Sequence, residues 1–168
     1  TNGIEAILGL KGASYAAACM CLAQASSLGM LMYYDARPSA YNGLFKPYTL
    51  KINYTYYPFK MFSQLYRMEN CISSVSDDPQ LYSIAAQGNG EAGIMVTNYI
   101  DDDTAPAKDV QINFANLPLP GPVQVDYYLL DETHDMELVR SEKISSTEFS
   151  SYLNIPLYST WFIKLTAI

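Results

Sequence analysis

Met30-Leu31-Met32-Tyr33-Tyr34-Asp35 decides how this chain is read. Its apolar and aromatic residues run without alternation and close on Asp35-Ala36-Arg37-Pro38, the pattern of a strand buried on both faces. Such a strand needs a sheet around it, and the flanks supply helices instead. Ile4 to Ala25, rich in Ala, Leu and Met, predicts a helix whose Gly9, Gly12, Ala16 and Ala17 would let a neighbouring sheet approach closely. Ser39 to Tyr54 reads as an aromatic loop around Gly43 and Pro47. Pro58 suits the first turn of a second helix, ending at Met68, whose Met61, Phe62, Leu65 and Tyr66 share one face. Helix, strand, loop, helix is one and a half turns of a (β/α)8 barrel without the rest of its sheet. The chain also opens on Thr1, so the expectation is the tail of something larger.

From Gln80 onward the apolar period changes to two. Strands are predicted at Leu81–Ala86, Gly93–Tyr99, Val110–Phe114, Val123–Leu130, Met136–Ile144, Phe149–Ile155 and Thr160–Thr166. Val123, Val125 and Tyr127 alternate with Gln124, Asp126 and Tyr128, as a half-buried strand requires. Short strands separated by turn residues indicate an antiparallel sandwich. The expected fold is therefore mainly β, an antiparallel β-sandwich preceded by a helix-strand-helix remnant of a (β/α)8 barrel.

Charge marks a boundary between residues 1–72 and 73–168. The first part holds six basic and three acidic groups, the second four basic and fourteen acidic, so a net +3 gives way to −10 across Ser73-Ser74-Val75-Ser76-Asp77-Asp78-Pro79. The second part is long enough for a core of its own. The first is not: its apolar faces need a cover, and self-association of copies through the barrel remnant is expected.

The acidic half argues against nucleic acid, whose phosphates need a basic surface. Neutral sugars are indifferent to it. Three cysteines do not make a disulfide framework. Cys19 and Cys21 stand two apart on a helix and point away from one another, so they form no metal pair. Reduced, buried thiols fit a cytoplasmic location. The uncharged run Gly12 to Tyr34 is long enough to span a bilayer, and Ala23-Gln24-Ala25 resembles a signal-peptidase site. Against both stand Ser14, Gln24, Ser26 and Ser27, a break at Ser26-Ser27-Leu28-Gly29, and the lack of a charged leader; no membrane contact is expected.

Several motifs have plain readings. Gly88-Asn89-Gly90-Glu91-Ala92-Gly93 matches G-x-G-x-x-G, but the strand-like Ile94-Met95-Val96-Thr97 follows where a dinucleotide site needs a helix, so a hairpin is expected. Asp101-Asp102-Asp103 with Asp109 lacks the spacing of a calcium loop and reads as a solvated turn. His134, the only histidine, sits in the turn Asp131–Asp135 without a partner cysteine or second histidine. Asn53-Tyr54-Thr55 is a glycosylation sequon by pattern alone. No metal and no cofactor are expected.

Tyr33-Tyr34-Asp35-Ala36-Arg37 is the cluster that could carry chemistry. At the C-terminal end of a barrel strand these residues stand where barrel enzymes place their sites. Aromatic rings that stack on sugar faces, with Asp35 and Arg37 bonding to hydroxyls, suit a glycan pocket that Tyr41, Asn42 and Lys46 could join. The other reading is a structural Asp35–Arg37 ion pair with the tyrosines in the core. Glycoside cleavage needs two carboxylates flanking the bond. Residues 1–72 offer only Glu5, Asp35 and Glu69, and Glu5 and Glu69 lie near helix ends. No catalytic residue is assigned to this chain.

The order of elements resembles a known family. A strand ending in Tyr33-Tyr34-Asp35, a loop with Asn42-Gly43-Leu44-Phe45, and a helix entered through Tyr57-Pro58-Phe59 precede a β-sandwich. This is similar to the C-terminal end of glycoside hydrolases of the family 39 and 51 type, especially bacterial β-xylosidase-like proteins. The resemblance implies a retaining glycosidase acting on plant-type polysaccharide or oligosaccharide glycosides. Tyr34 and Asp35 would end barrel strand eight, and Tyr34, Asp35, Arg37, Tyr41 and Asn42 would line a sugar subsite. The family's acid/base glutamate ends strand four and its nucleophile ends strand seven, so both would precede Thr1. Two other readings compete. One is a stand-alone β-sandwich binding carbohydrate or protein through exposed aromatics, with Tyr128, Tyr152, Tyr158 and Trp161 as candidates. The other is a secreted structural protein whose first 25 residues are cleaved.

Overall fold

The computed structural model describes residues 3–117 and 119–168. The first predicted helix forms as two pieces, α1 (Gly3–Leu8) and α2 (Leu10–Gln24). Gly9 between them leaves the helical region, with φ −87° and ψ −169°, as the poorest helix former short of proline can do at little cost. Helix α3 (Tyr56–Tyr66) starts two residues before Pro58. Pro58 still lies in the first turn, where its missing N–H leaves no intrahelical bond unmade. The α3 N-cap residue Thr55 turns its hydroxyl away from its own helix and donates to the Ile7 carbonyl at 3.3 Å, tying α3 to α1.

Eight strands follow among the described residues: β1 (Asn70–Ile72), β2 (Leu81–Gly88), β3 (Glu91–Asn98), β4 (Lys108–Phe114), β5 (Val123–Leu130), β6 (Asp135–Ile144), β7 (Phe149–Ile155) and β8 (Thr160–Ala167). Their named pairings are antiparallel. Six strands form one sheet in the order β1-β2-β3-β8-β5-β6, and β4 pairs with β7 in a second. The sequence pattern foresaw seven of these strands. It missed β1, which joins the sheet edge through Cys71 opposite Ala86. The glycine-rich stretch is the β2–β3 hairpin, where Gly88, Asn89 and Gly90 take φ of 150°, 54° and 77°.

Strand alternation gives the large sheet two apolar faces. Ile94, Val96, Val125, Tyr127, Ile163 and Leu165 face the β4–β7 pair and pack with Leu153 and Ile155. Ile84, Ala86, Met95 and Phe162 pack with Ala13, Ala17 and Met20 of α2 and with Met61, Leu65 and Met68 in and after α3. The result is three layers: helices, six-stranded sheet, two-stranded sheet. Met61, Met95 and Phe162 are fully buried between the helices and the six-stranded sheet, and each contributes on the order of 2 kcal/mol by leaving water. Gly93 permits the close approach of α3. A Cβ there would stand 3.1 Å from both Leu65 Cδ2 and Met68 Cε.

The strand expected at Met30–Tyr34 does not form. The segment is irregular, and among the described residues nothing pairs with the backbone of Met30 to Tyr33. A strand exists only by bonding to a neighbour, and none of the eight strands runs beside it. In place of burial, Met30 is 72%, Met32 81% and Tyr34 72% exposed. No helix among the described residues is long and apolar enough to cross a membrane.

Candidate functional site

The segment 33–37 and the loop after it are tied together locally. Arg37 Nε donates to Asp35 Oδ2 at 2.6 Å, and the Arg37 backbone N–H reaches Asp35 Oδ1 at 3.2 Å. The bond from Asp35 and its negative charge hold the Arg37 guanidinium still more firmly protonated. The Asp35 side chain is 15% exposed and the Arg37 side chain 73%. Tyr33 donates its hydroxyl to the Asn42 carbonyl at 2.8 Å, and Asn42 Nδ2 returns a bond to the Tyr34 carbonyl. Burial pushes the Tyr33 phenol up, and its ring meets Phe59 edge-on at 5.1 Å.

The turn Asn42–Phe45 is held from behind by Asn53. Buried at 3% exposure, Asn53 donates from Nδ2 to the Gly43 carbonyl at 2.7 Å and from its backbone to the Leu44 carbonyl at 2.9 Å. In sequence Asn53 registered only as a sequon. Its role depends on a contact ten residues away that no local pattern announces. Bridges from Phe45 to Pro38 and Ile52 complete the loop.

The structure thus pairs Asp35 with Arg37 and, beside them along the chain, Asn42 with the Tyr34 backbone. Tyr41, 60% exposed, stands beside them with its backbone N–H on Ser39 Oγ at 3.2 Å. Lys46 lies elsewhere, on a separate groove with Ser39, Pro47 and Asp135. The Asp35–Arg37 pair is the structural ion pair of the plainer reading. Tyr34 and Tyr41, however, are exposed and not core. Behind them a groove of about 700 Å³ runs between α2, α3 and the 28–34 segment. Tyr15, Met20, Phe59, Phe62, Tyr33 and Tyr34 help line it, and its lining contains no charged side chain. Rings, amide and guanidinium groups here can stack on and bond to hydroxyl-bearing molecules. Asp35 is the cluster's one carboxylate and is already engaged, so the two-carboxylate chemistry of glycoside cleavage has no second partner within it.

The remaining candidates serve the fold. Lys11 on α2 bonds Asp101 at 2.7 Å and Asp103 at 2.8 Å, and the Tyr158 hydroxyl donates to Asp103 at 2.7 Å. The acidic turn therefore clamps α2 to the sheet layers. The bonds from Lys11 and then Tyr158 hold the Asp103 carboxyl below the ordinary range. Burial, and after it the bond to Asp103, pushes the Tyr158 phenol up to about 12. Asp131 accepts from the Thr133 and His134 backbone N–H groups and lies 2.8 Å from His134 Nδ1, which closes the β5–β6 turn. No three His, Cys, Asp or Glu among the described residues are placed to hold a metal ion. Of the sandwich aromatics, Tyr128 packs beside Phe162 under the helices, Trp161 is half-buried against the other core and Tyr158 is bonded to Asp103. Only Tyr152 of the four is largely free, at 69% exposure.

No family model and no curated protein matches this sequence. Solved structures do match in fold. A glucosidase from Croceicoccus marinus aligns over 95% of this chain and 42% of its own, with a TM-score of 0.79 and 16% identity. The family 39 glycoside hydrolase of Xanthomonas axonopodis pv. citri aligns over 100% of this chain and 43% of its own, at TM-score 0.73 and 11% identity. A family 30 subfamily 8 xylanase from Clostridium acetobutylicum aligns over 95% and 40%, at TM-score 0.71 and 17% identity. The chain spans about two fifths of the length of these structures. It has the fold of the C-terminal part of glycoside hydrolases of the family 39 and family 30 kind.

Proposed function

We propose that this chain is the closing part of a retaining glycosidase acting on plant-type polysaccharide or oligosaccharide glycosides, whose catalytic glutamates lie on a part of the protein outside these residues. Tyr34, Asp35, Arg37, Tyr41 and Asn42 line a sugar subsite of the whole enzyme. In that assembly Asp35 fixes the Arg37 guanidinium and leaves its remaining N–H donors for hydroxyl oxygens, while the tyrosine rings offer faces to the apolar side of a pyranose. The free thiols suit a cytoplasmic protein.

The observation that carries the reading is the bare segment Met30–Met32. Its backbone is unpaired among the described residues and its side chains are 56–81% exposed, as expected of a barrel strand without its neighbours. The likeness in fold to glycosidases, over only part of their length, supports the same conclusion.

The experiment is a comparison of two proteins on aryl β-xylosides and β-glucosides. One is this 168-residue chain; the other is the longest product of the reading frame that contains it. The chain alone should be inactive and the longer product active. Turnover by the chain alone, freed of host glycosidases, would overturn the proposal, as would an inert but well-folded longer product.

A further inference from the structure

We propose that the outer face of the β4–β7 pair binds a neutral polysaccharide chain, as a surface separate from the 33–42 cluster. Alternation turns Val110, Ile112, Leu153 and Ile155 inward to the core. The register then sets Asp109 opposite Asn154, Gln111 opposite Tyr152 and Asn113 opposite Ser150 on the other side, and all six are exposed. Three such pairs make a strip about 14 Å long on strands about 4.8 Å apart. The strip lies on the layer opposite the helices, so it does not depend on what covers the helical layer.

Its side chains are held in place before any ligand arrives. Gln111 Nε2 donates to Asn113 Oδ1 at 2.8 Å and to Ser150 Oγ at 3.3 Å, and Ser150 Oγ donates to Asn113 Oδ1 at 2.7 Å. Asn154 Nδ2 donates to Asp109 Oδ1 at 2.8 Å. Among the described residues these bonds leave Asn113 Nδ2 to donate outward and Gln111 Oε1, Asn154 Oδ1 and Asp109 Oδ2 to accept. Tyr152, 69% exposed, presents its ring at the centre of the strip. Groups already ordered lose little freedom on binding, which lowers the cost of capture.

The chemistry selects the occupant. A sugar hydroxyl both donates and accepts, and the strip offers both partners, with a ring for the apolar side of a pyranose. Asp109 is its one charge, in a part of the chain that holds fourteen acidic and four basic groups. Edge strand β6, by contrast, exposes Glu137, Arg140, Glu142 and Lys143, the mixed charge of an ordinary wetted surface. A polyanion would find no cation on the strip to pair with. A protein partner would find a single ring, where interface cores are apolar and aromatic. A long, narrow, nearly uncharged strip suits a linear neutral chain.

Affinity electrophoresis of the 168-residue chain in native gels tests this, with soluble arabinoxylan and hydroxyethylcellulose as neutral probes and polygalacturonate as the anionic one. Choosing a xylan rests on the glycosidase reading; the readout is retardation and not activity, so the two can fail separately. At least one neutral polymer should retard the chain and polygalacturonate should not. Tyr152→Ala should raise the apparent dissociation constant about tenfold or more, and Tyr152→Phe, which keeps the ring, by less than about twofold. Asn113→Ala should raise it about three- to tenfold, the worth of one neutral hydrogen bond. These side chains are exposed, so melting temperatures should stay within about 2 °C of the parent. Free migration in both neutral gels would overturn the proposal, as would equal retardation by polygalacturonate. So would retardation that survives Tyr152→Ala or is relieved by Tyr34→Ala instead, which places the sugar elsewhere.

Discussion

Replacing Leu65 by alanine tests whether the helices are one structure with the sheet. Leu65 is 3% exposed on α3 and points at Gly93 of β3. The substitution removes three carbons, worth about 2.4 kcal/mol of transfer at roughly 0.8 each. The cavity adds roughly 1.5 kcal/mol for about 60 Å³ left unfilled. The total is about 4 kcal/mol, and at a urea dependence near 2 kcal/mol per molar the midpoint falls by about 2 M. Tyr66, the next residue, is 78% exposed, so Tyr66→Ala should move the midpoint by less than about 0.3 M. Two probes follow the unfolding. Far-UV ellipticity reports the helices, and fluorescence of Trp161, the single tryptophan, reports the sheet from its opposite face. The two curves should coincide in the parent and in both variants. The reasoning fails if Leu65→Ala shifts the midpoint by less than about 0.5 M, if Tyr66→Ala shifts it as much, or if helix signal is lost before fluorescence.

Acid should weaken the fold through the paired carboxylates. Lys11 and Tyr158 lower the pKa of Asp103, and Lys108 lowers that of Asp78; a depressed carboxyl stabilises above its unfolded value of about 3.9, and that contribution is lost as pH falls through the folded value. The urea midpoint should therefore be level from about pH 5 to 8 and drop below about pH 4, with a shallower acid limb in Lys11→Met; an unchanged limb in that variant would refute the clamp. Burial pushes the Cys21 thiol up to about 12, whereas Cys71 is exposed. Iodoacetamide at pH 8 should then label Cys71 first and Cys21 only in urea, as read by peptide mass spectrometry, and the reverse order would contradict the burial. In the active longer product, Arg37→Ala should lower kcat/KM on an aryl β-xyloside about 10- to 100-fold, the worth of one charged hydrogen bond. The same change in the 168-residue chain should lower its melting temperature by no more than about 4 °C, the worth of one partly exposed ion pair, and undiminished activity of the longer product would remove Arg37 from the subsite.

The sandwich was legible because alternation over seven or more residues has one structural meaning. The bounds of Val123–Leu130 and Phe149–Ile155 are those read from the pattern, and Val123, Val125 and Tyr127 are buried as their spacing requires. The three residues of β1 are too few to carry a period, and its pairing follows from where β2 lies. Met30–Tyr34 misled for a different reason. An apolar run states that a segment wants burial, and the partner that would provide it is not among these strands. The division of strands between a six-stranded and a two-stranded sheet, and the bridge from Lys11 to Asp103 across 92 positions, are long-range facts without local signature. At the candidate site, the pairing of Asp35 with Arg37 was readable and the anchoring of the segment was not, since it rests on Asn42 and on the buried Asn53.

The reading of this chain as the closing part of a barrel glycosidase is tested most directly by the DNA upstream of the Thr1 codon. The account predicts an open frame of several hundred codons encoding repeated strand–helix alternation, with one glutamate at the end of a fourth strand and another at the end of a seventh. A start codon within a few residues of Thr1 would contradict it.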